Sequence, residues 1–222
     1  MSAARALLDS LGRPGDIRLG TARPDPITRL PTGLPVLDEA LGGGLPRGRI
    51  TELAGPRSTG RTGLACAIAA HATAAGETIA WIDPTDALDP DAAANAGIVL
   101  AQTLWVRPRS TEDALRAAEI VLGAGGFGLV VLDTDSTRSG AGRWPRLARA
   151  AERTRSTLLV VSPRRDAGTF ASLGLELTAR RVRWSQEPGR LVLLEGVDAR
   201  ITIARSRVGR PGRTLVVRQA CA

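Results

Sequence analysis

Apolar residues follow two different rhythms along this chain. Residues 50–53, 78–83, 103–106, 129–132 and 157–161 are short runs dominated by apolar side chains, with almost no polar residue between them. A strand covered by helices on both faces has no solvent side, so its apolar run is not broken at every second position. Such runs, separated by helical stretches, predict buried parallel strands. The helices predicted between them cover residues 63–75 (alanine-rich, ended by Gly76), 87–96 and 111–122, the last capped by Thr111 ahead of Glu112 and Asp113.

Beyond about residue 171 the rhythm changes. Leu173, Leu175 and Leu177 alternate with other residues, and Val182 and Trp184 follow. After the Glu187-Pro188-Gly189 turn come residues 191–194, then Ile201 and Ile203, then a turn over 209–212 leading to 215–217. Period-two alternation with turn residues between predicts half-exposed antiparallel strands joined by hairpins. At the other end, residues 2–11 predict a short helix with Leu7, Leu8 and Leu11 on one side, followed by a Gly/Pro-rich connector over 12–35. The expected fold class is α/β: a mainly parallel sheet flanked by helices, with a C-terminal antiparallel extension. Its parts are an arm over 1–35, a core over 36–170, and strands over 171–222 belonging to the same domain.

Length and composition narrow this. With 222 residues, 43% hydrophobic and 23% charged, the chain can bury a full core and is not a disordered one. All 30 basic residues are arginine, against 22 acidic residues. The formal charge of +8 is uneven: residues 1–135 hold 12 Arg against 16 Asp and Glu, and residues 136–222 hold 18 against 6. A basic C-terminal part calls for an acidic partner, either nucleic acid or an acidic protein surface. Cys66 and Cys221 stand far apart, and the sequence offers neither a metal-ligand pattern nor a membrane-length apolar run, so a cytoplasmic protein without a metal site or membrane contact is expected. His71, the only histidine, lies in an alanine-rich helix and reads as a packing or surface residue.

The chemistry-bearing segment is Gly55-Pro56-Arg57-Ser58-Thr59-Gly60-Arg61-Thr62, lying between a predicted strand and a predicted helix. It differs by one residue from the phosphate-binding pattern G-x-x-x-x-G-K-[ST]. In that pattern backbone N–H groups at a helix N-terminus cradle phosphate oxygens, lysine reaches the terminal phosphates, and Ser/Thr holds magnesium. Arg61 keeps the lysine's charge in a larger planar fork. The loop is either a nucleotide site or an inherited turn kept for the fold.

The stretch over residues 15–163 resembles the nucleotide-binding core of RecA-type recombinases. The resemblance rests on Gly15-Asp16-Ile17-Arg18-Leu19-Gly20, on Leu41-Gly42-Gly43-Gly44-Leu45-Pro46-Arg47-Gly48-Arg49-Ile50, on the loop over 55–62, and on Ile82-Asp83-Pro84-Thr85-Asp86-Ala87-Leu88-Asp89-Pro90. It implies a RecA-like fold, with Gly55, Gly60, Arg61, Thr62 and the magnesium-side Asp133 forming the nucleotide site. It also exposes departures. Thr85 stands where the family has the glutamate that polarises the attacking water, and Ser162-Pro163 replaces an Asn-Gln pair that relays nucleotide state to DNA. Loss of a positioned base alone costs roughly 10²–10⁴ in rate. No catalytic residue is therefore expected, no cofactor is required, and ATP with magnesium is the ligand the loop would take if any. The connections over 134–142 and 162–172, which match the family's DNA-binding loops, are short.

A short, arginine-rich, RecA-like chain with a decayed loop is similar to the ImuA family of bacterial mutagenesis accessory proteins. That resemblance implies an SOS-induced, non-catalytic role in error-prone translesion synthesis. The implied partners are an ImuB-type polymerase-like protein, an error-prone replicative-type polymerase acting through it, and RecA. The competing expectation is an ATP-dependent recombinase or recombination mediator with an arginine-substituted loop. Candidate contacts to DNA or a partner are Arg138, Arg143, Arg146, Arg149, Arg153, Arg164 and Arg165; positions 146, 149 and 153 share a helix face. Trp144 and Trp184 are candidate exposed anchors.

Overall fold

Strands form here where the chain carries apolar side chains for two layers at once. The computed structural model describes residues 28–135, 142–185, 194–207 and 211–220. The expected helix over 2–11, the motif over 15–20, Arg138, Cys221 and the turn at Glu187-Pro188-Gly189 lie outside the described residues. Two short strands, β1 (Arg29–Leu30) and β2 (Leu45–Pro46), form an antiparallel ladder of their own. The main sheet contains β3 (Ile50–Ala54), β4 (Ile79–Ile82), β5 (Thr103–Val106), β6 (Leu129–Asp133), β7 (Thr157–Ser162), β8 (Ala171–Trp184), β9 (Leu194–Ser206) and β10 (Thr214–Ala220). Their order is β10-β9-β8-β3-β7-β6-β4-β5. The strands from β8 to β5 run parallel, and β9 and β10 add on antiparallel.

Helices α1 (Pro35–Leu41) and α2 (Arg61–Ala74) contribute to the core on one face, where Leu37, Leu64 and Ile68 join Leu53, Trp81, Val131, Leu175, Ile201 and Val217. Helices α4 (Thr111–Ala124) and α5 (Trp144–Thr154) supply the other face, with Leu115, Leu122 and Leu147 joining Ile50, Ile82, Val130 and Val160. The short α3 (Pro90–Asn95) precedes β5. No residue of β9 or β10 belongs to that second cluster. Among the described residues, no helix lies over the C-terminal strands on that side.

Several expectations change. The stretch over 12–35 is not all connector: α1 begins at Pro35, with proline in its first turn and left-handed Gly42 at its C-terminal end. The predicted helix over 87–96 is shorter, because Asp89 caps it by accepting from the Asp91 and Ala92 N–H groups. Ser110, not Thr111, caps α4, its Oγ accepting from the Asp113 N–H at 3.1 Å. Residues 194 and 201–203, expected on separate strands, lie on the single β9. Trp144 is buried at 1% exposure and is no surface anchor, whereas Trp184 is 52% exposed.

The link between β7 and β8 has an unusual route. Both strands pair with β3 in parallel, so residues 163–170 must cross β3 from one end of the sheet to the other. Eight residues reach at most about 28 Å, and the strand they cross uses about 16 Å of that. Glu52, in the middle of β3 and 1% exposed, holds the crossing in place. Its Oε1 accepts the N–H groups of Asp166 (2.5 Å) and Ala167 (2.7 Å). Burial pushes the Glu52 carboxyl up, and these two bonds pull it back.

Candidate nucleotide cleft and arginine surfaces

The loop after β3 folds as its sequence requires. A Cβ on Gly55 would stand 2.5 Å from the Leu177 carbonyl oxygen, so only glycine fits against β8. The Gly55 N–H donates to the Ser162 carbonyl at 3.2 Å. The Thr59 hydroxyl donates to the Pro56 carbonyl at 2.8 Å, and Gly60 turns left-handed (φ 86°) to start α2. No side chain caps that helix and no acidic residue stands in its first turn, so its N-terminal N–H groups face the cleft without a competing anion.

A cleft of about 580 Å³ opens above the loop, lined by Arg57, Gly60, Arg61, Thr62, Thr85 and Asp133 among others. The predicted Gly60, Arg61, Thr62 and Asp133 are thus brought together, with Gly55 buried beneath them. Arg61 Nη1 is buried without a hydrogen-bond partner, a donor suited to an incoming anion. Asp133, at the end of β6, titrates near 6: burial is the main cause, Asp83 and Asp135 add to it, and Arg61 opposes it. The same burial, with Asp133 nearby, pushes the Cys66 thiol up to about 11, an inert value. Arg57 Nη2 donates to Asp135 Oδ2 at 2.7 Å.

Beside the cleft, the Thr85 hydroxyl donates to Asp83 Oδ1 at 3.0 Å, while Asp83 Oδ2 accepts the Leu88 N–H at 2.8 Å. Asp83 is therefore engaged in shaping the turn. Its neighbour Asp86 is held below the usual carboxylate range by hydrogen bonds from Arg107, which lies 4.7 Å over the Trp105 ring.

The candidate arginines divide. Arg146, Arg149 and Arg153 are exposed on one face of α5, as their spacing predicts. Arg153 donates to the Gly123 carbonyl at 3.4 Å, and Arg143 is tied to Glu112 (3.2 Å) and Glu119 (3.7 Å) on α4. Arg164 is exposed on the crossing. Arg165 pairs with Glu176 at 2.7 Å and lies over Gly174, where a Cβ would stand 3.1 Å from its Cδ. Glu52, which positions this crossing, was missed; its signal was a lone charge inside an apolar run.

Residues 2–139 match the RecA N-terminal domain. The chain belongs to the RecA family. Among relatives of the family, Protein RecA of Nocardia farcinica (strain IFM 10152) is 43% identical over 126 residues, which is 56% of this chain and 36% of that protein. Protein RecA of Paenarthrobacter aurescens (strain TC1) is 42% identical over 136 residues, 60% of this chain and 39% of that protein. The match thus covers less than two fifths of those relatives. In fold, the chain is similar to the RadB recombinase crystal structure, with a TM-score of 0.66 and 19% identity over 85% of this chain and 95% of that one. Among the described residues no helix is long and apolar enough to cross a membrane.

Proposed function

We propose that this RecA-family chain is a non-catalytic accessory protein of SOS-induced, error-prone translesion DNA synthesis. It acts as an adaptor for an ImuB-type polymerase-like partner, through which an error-prone replicative-type polymerase is joined, and RecA is its second contact. The observation that supports this most is Thr85, a hydroxyl already bonded to Asp83 at the place where hydrolysis needs a carboxylate base. The crossing over 163–170 adds support, since a segment pinned by Glu52 has little slack to move as a DNA-threading loop. The likeness to ImuA proteins in arginine content and altered loop suggests the pathway.

No cofactor is needed for this role. The cleft residues nonetheless suit a phosphate group, because Arg61 Nη1 is a buried donor without a partner. Arg61 would hold the phosphate, and Thr62 with Asp133 would face a magnesium ion, which is normally held by one or two carboxylates together with phosphate oxygens. A nucleoside triphosphate bound there supplies charge and shape to the cleft.

With magnesium, ATP and single-stranded DNA, the purified protein is expected to show no turnover above background. DNA-stimulated hydrolysis abolished by Thr62→Ala would overturn this and favour the ATP-dependent recombinase or mediator. The adaptor role predicts recovery of a polymerase-like protein with the tagged chain from DNA-damaged cells. Recovery of neither that protein nor RecA would sink it.

A further inference from the structure

The two edges of the main sheet are built differently. At one edge β5 is four residues long, and Pro108, which has no N–H to pair, follows two residues after it. Short strands and prolines are usual ways of keeping an edge from pairing with another chain. At the other edge β10 runs for seven residues without a proline, about 23 Å at ~3.3 Å each. Its register against β9 is unbroken from Thr214 opposite Thr202 to Ala220 opposite Gly196, so no bulge twists this edge away. Among the described residues no strand covers its outer side. The Ile203 N–H donates to the Arg213 carbonyl at 2.9 Å, and bonded pairs in an antiparallel ladder recur at every second residue. Leu215 and Val217 therefore bond to β9, while Thr214, Val216 and Arg218 turn their N–H and C=O groups outward.

The two sides of this edge also differ. On the side of α1, Leu215 and Val217 are buried, and a groove of about 380 Å³ lies between β10 and the start of α1. Leu34, Pro35 and Val36 form one wall, and Val216, Val217 and Arg218 the other. Val36 is exposed, whereas Leu37 and Leu41 of the same helix turn into the core. On the open side, the register sets Val216 beside Arg200 beside Thr178, and Arg218 beside Asp198 beside Arg181. Opposed residues in antiparallel strands point to the same side. Arg181, Arg200 and Arg218 are exposed there. The carboxylates of this side are engaged: Glu176 pairs with Arg165, and Asp198, which also borders the groove, stands 3.4 Å from Arg183 Nε and 3.9 Å from Arg218 Nε.

We propose that the outer edge of β10 docks one extended segment of a partner protein, added as a further strand, in which apolar residues alternate with Asp or Glu. This rests on the adaptor reading and gives it a surface. Main-chain bonds to Thr214, Val216 and Arg218 hold the segment, and its alternate side chains give selectivity. Every second side chain of an added strand lies on the α1 side, where it fills the groove between Val36 and Val217. The residues between them lie on the open side, about 5 Å from their neighbours on β10, where a carboxylate meets Arg218 and, one strand further in, Arg200. Charge selects this occupant over a second copy of the chain. Strand β10 carries an arginine and no acidic residue, so two copies paired edge to edge would bring arginines together without a countercharge.

The test is fluorescence anisotropy of the full chain with a labelled peptide of alternating valine and glutamate, against an isomer holding the same residues in two blocks. The alternating peptide is expected to bind about tenfold more tightly, since only it presents one apolar and one acidic side. The Val216 and Arg218 amides are expected to exchange freely in the free chain and to slow about tenfold with the peptide bound. Val216→Pro removes an outward N–H without touching a bond to β9 and should cost about tenfold in affinity. Val36→Asp and Arg218→Glu should each cost about fivefold, and Arg146→Ala with Arg149→Ala on α5 should stay within about twofold. If Val216→Pro does not fold, Val36→Asp and the amide exchange decide. The proposal is overturned if the blocked isomer binds as well, if the β10 and α1 variants bind like the parent, if both amides are already slow in the free chain, or if sedimentation shows a dimer that Val216→Pro dissociates. Peptide binding at β10 without recovery of a polymerase-like protein or RecA from cells would sink the adaptor role and leave this site standing. Recovery of such a partner with no peptide bound at β10 would do the reverse.

Discussion

The nucleotide cleft and the C-terminal sheet face both carry arginines, and they carry opposite net charge. In the cleft Arg57 and Arg61 meet Asp83, Asp133 and Asp135, so carboxylates outnumber arginines and Asp133 is driven up to about 6. On the sheet face arginines outnumber carboxylates, and Arg181 and Arg200 have no acidic partner among the described residues. Among the described residues, the excess positive charge of the sheet face therefore lies apart from the glycine loop. A cleft of this sign accepts a phosphate only together with a cation or a proton, whereas the sheet face leaves Arg181 and Arg200 exposed. The two regions meet at the crossing, with Glu52 beneath it and Arg165 on top.

Breaking that junction should have the largest effect. Glu52→Ala leaves the Asp166 and Ala167 N–H groups near the core without an acceptor, at about 1–3 kcal/mol each. A loss of about 4 kcal/mol is expected, a fall of roughly 10 °C or more in thermal midpoint. Glu52→Gln keeps an oxygen in place and should lose much less. Equal losses in the two variants would mean that the charge, not the acceptor, holds the crossing.

Much of this arrangement was legible in sequence. The strands from β3 to β7 were readable because a strand buried on both faces writes itself as an apolar run, as 129–132 does. The cleft residues were readable because a glycine loop between strand and helix has few other uses. Helix α1 was not, since its seven residues sit among Gly and Pro and its Val36 is 55% exposed. The strand order was not either. Nothing local says that β8 will pair with β3, the pairing that joins the C-terminal antiparallel strands to the parallel sheet.

The sign of the cleft can be tested by pH. The folded value of Asp133 lies above its ordinary one, near 3.8. The folded state thus binds the proton more tightly than the unfolded chain, and stability is lost as pH rises from about 4 through 6. Asp133→Asn removes that loss. It should stabilise the protein by up to about 3 kcal/mol at pH 8 and by almost nothing at pH 4, read from denaturant midpoints at both pH values. A pH-independent effect would place the cause outside the carboxylate.

A smaller effect separates two adjacent residues away from both regions. Ser110→Ala should cost about 1 kcal/mol, the usual worth of an N-cap, and Thr111→Ala less than half of that. The reverse order would return the cap to Thr111.

The smallest expected effect concerns Arg57. Its pair with Asp135 is drawn across the mouth of the cleft at 2.7 Å, yet the arginine side chain is 82% exposed. Water and salt screen such a pair, so Arg57→Ala should change stability by less than about 0.5 kcal/mol. Its electrostatic consequence is the sharper one: with Arg57 gone, Asp135 stands unpaired beside Asp133 and its charge acts on that carboxyl unopposed. The Asp133 titration, followed by carboxyl NMR shifts, should move further up in this variant. Replacing Arg200 on the sheet face should leave it where it is. A shift in both variants would mean that the two charged regions are electrostatically joined after all.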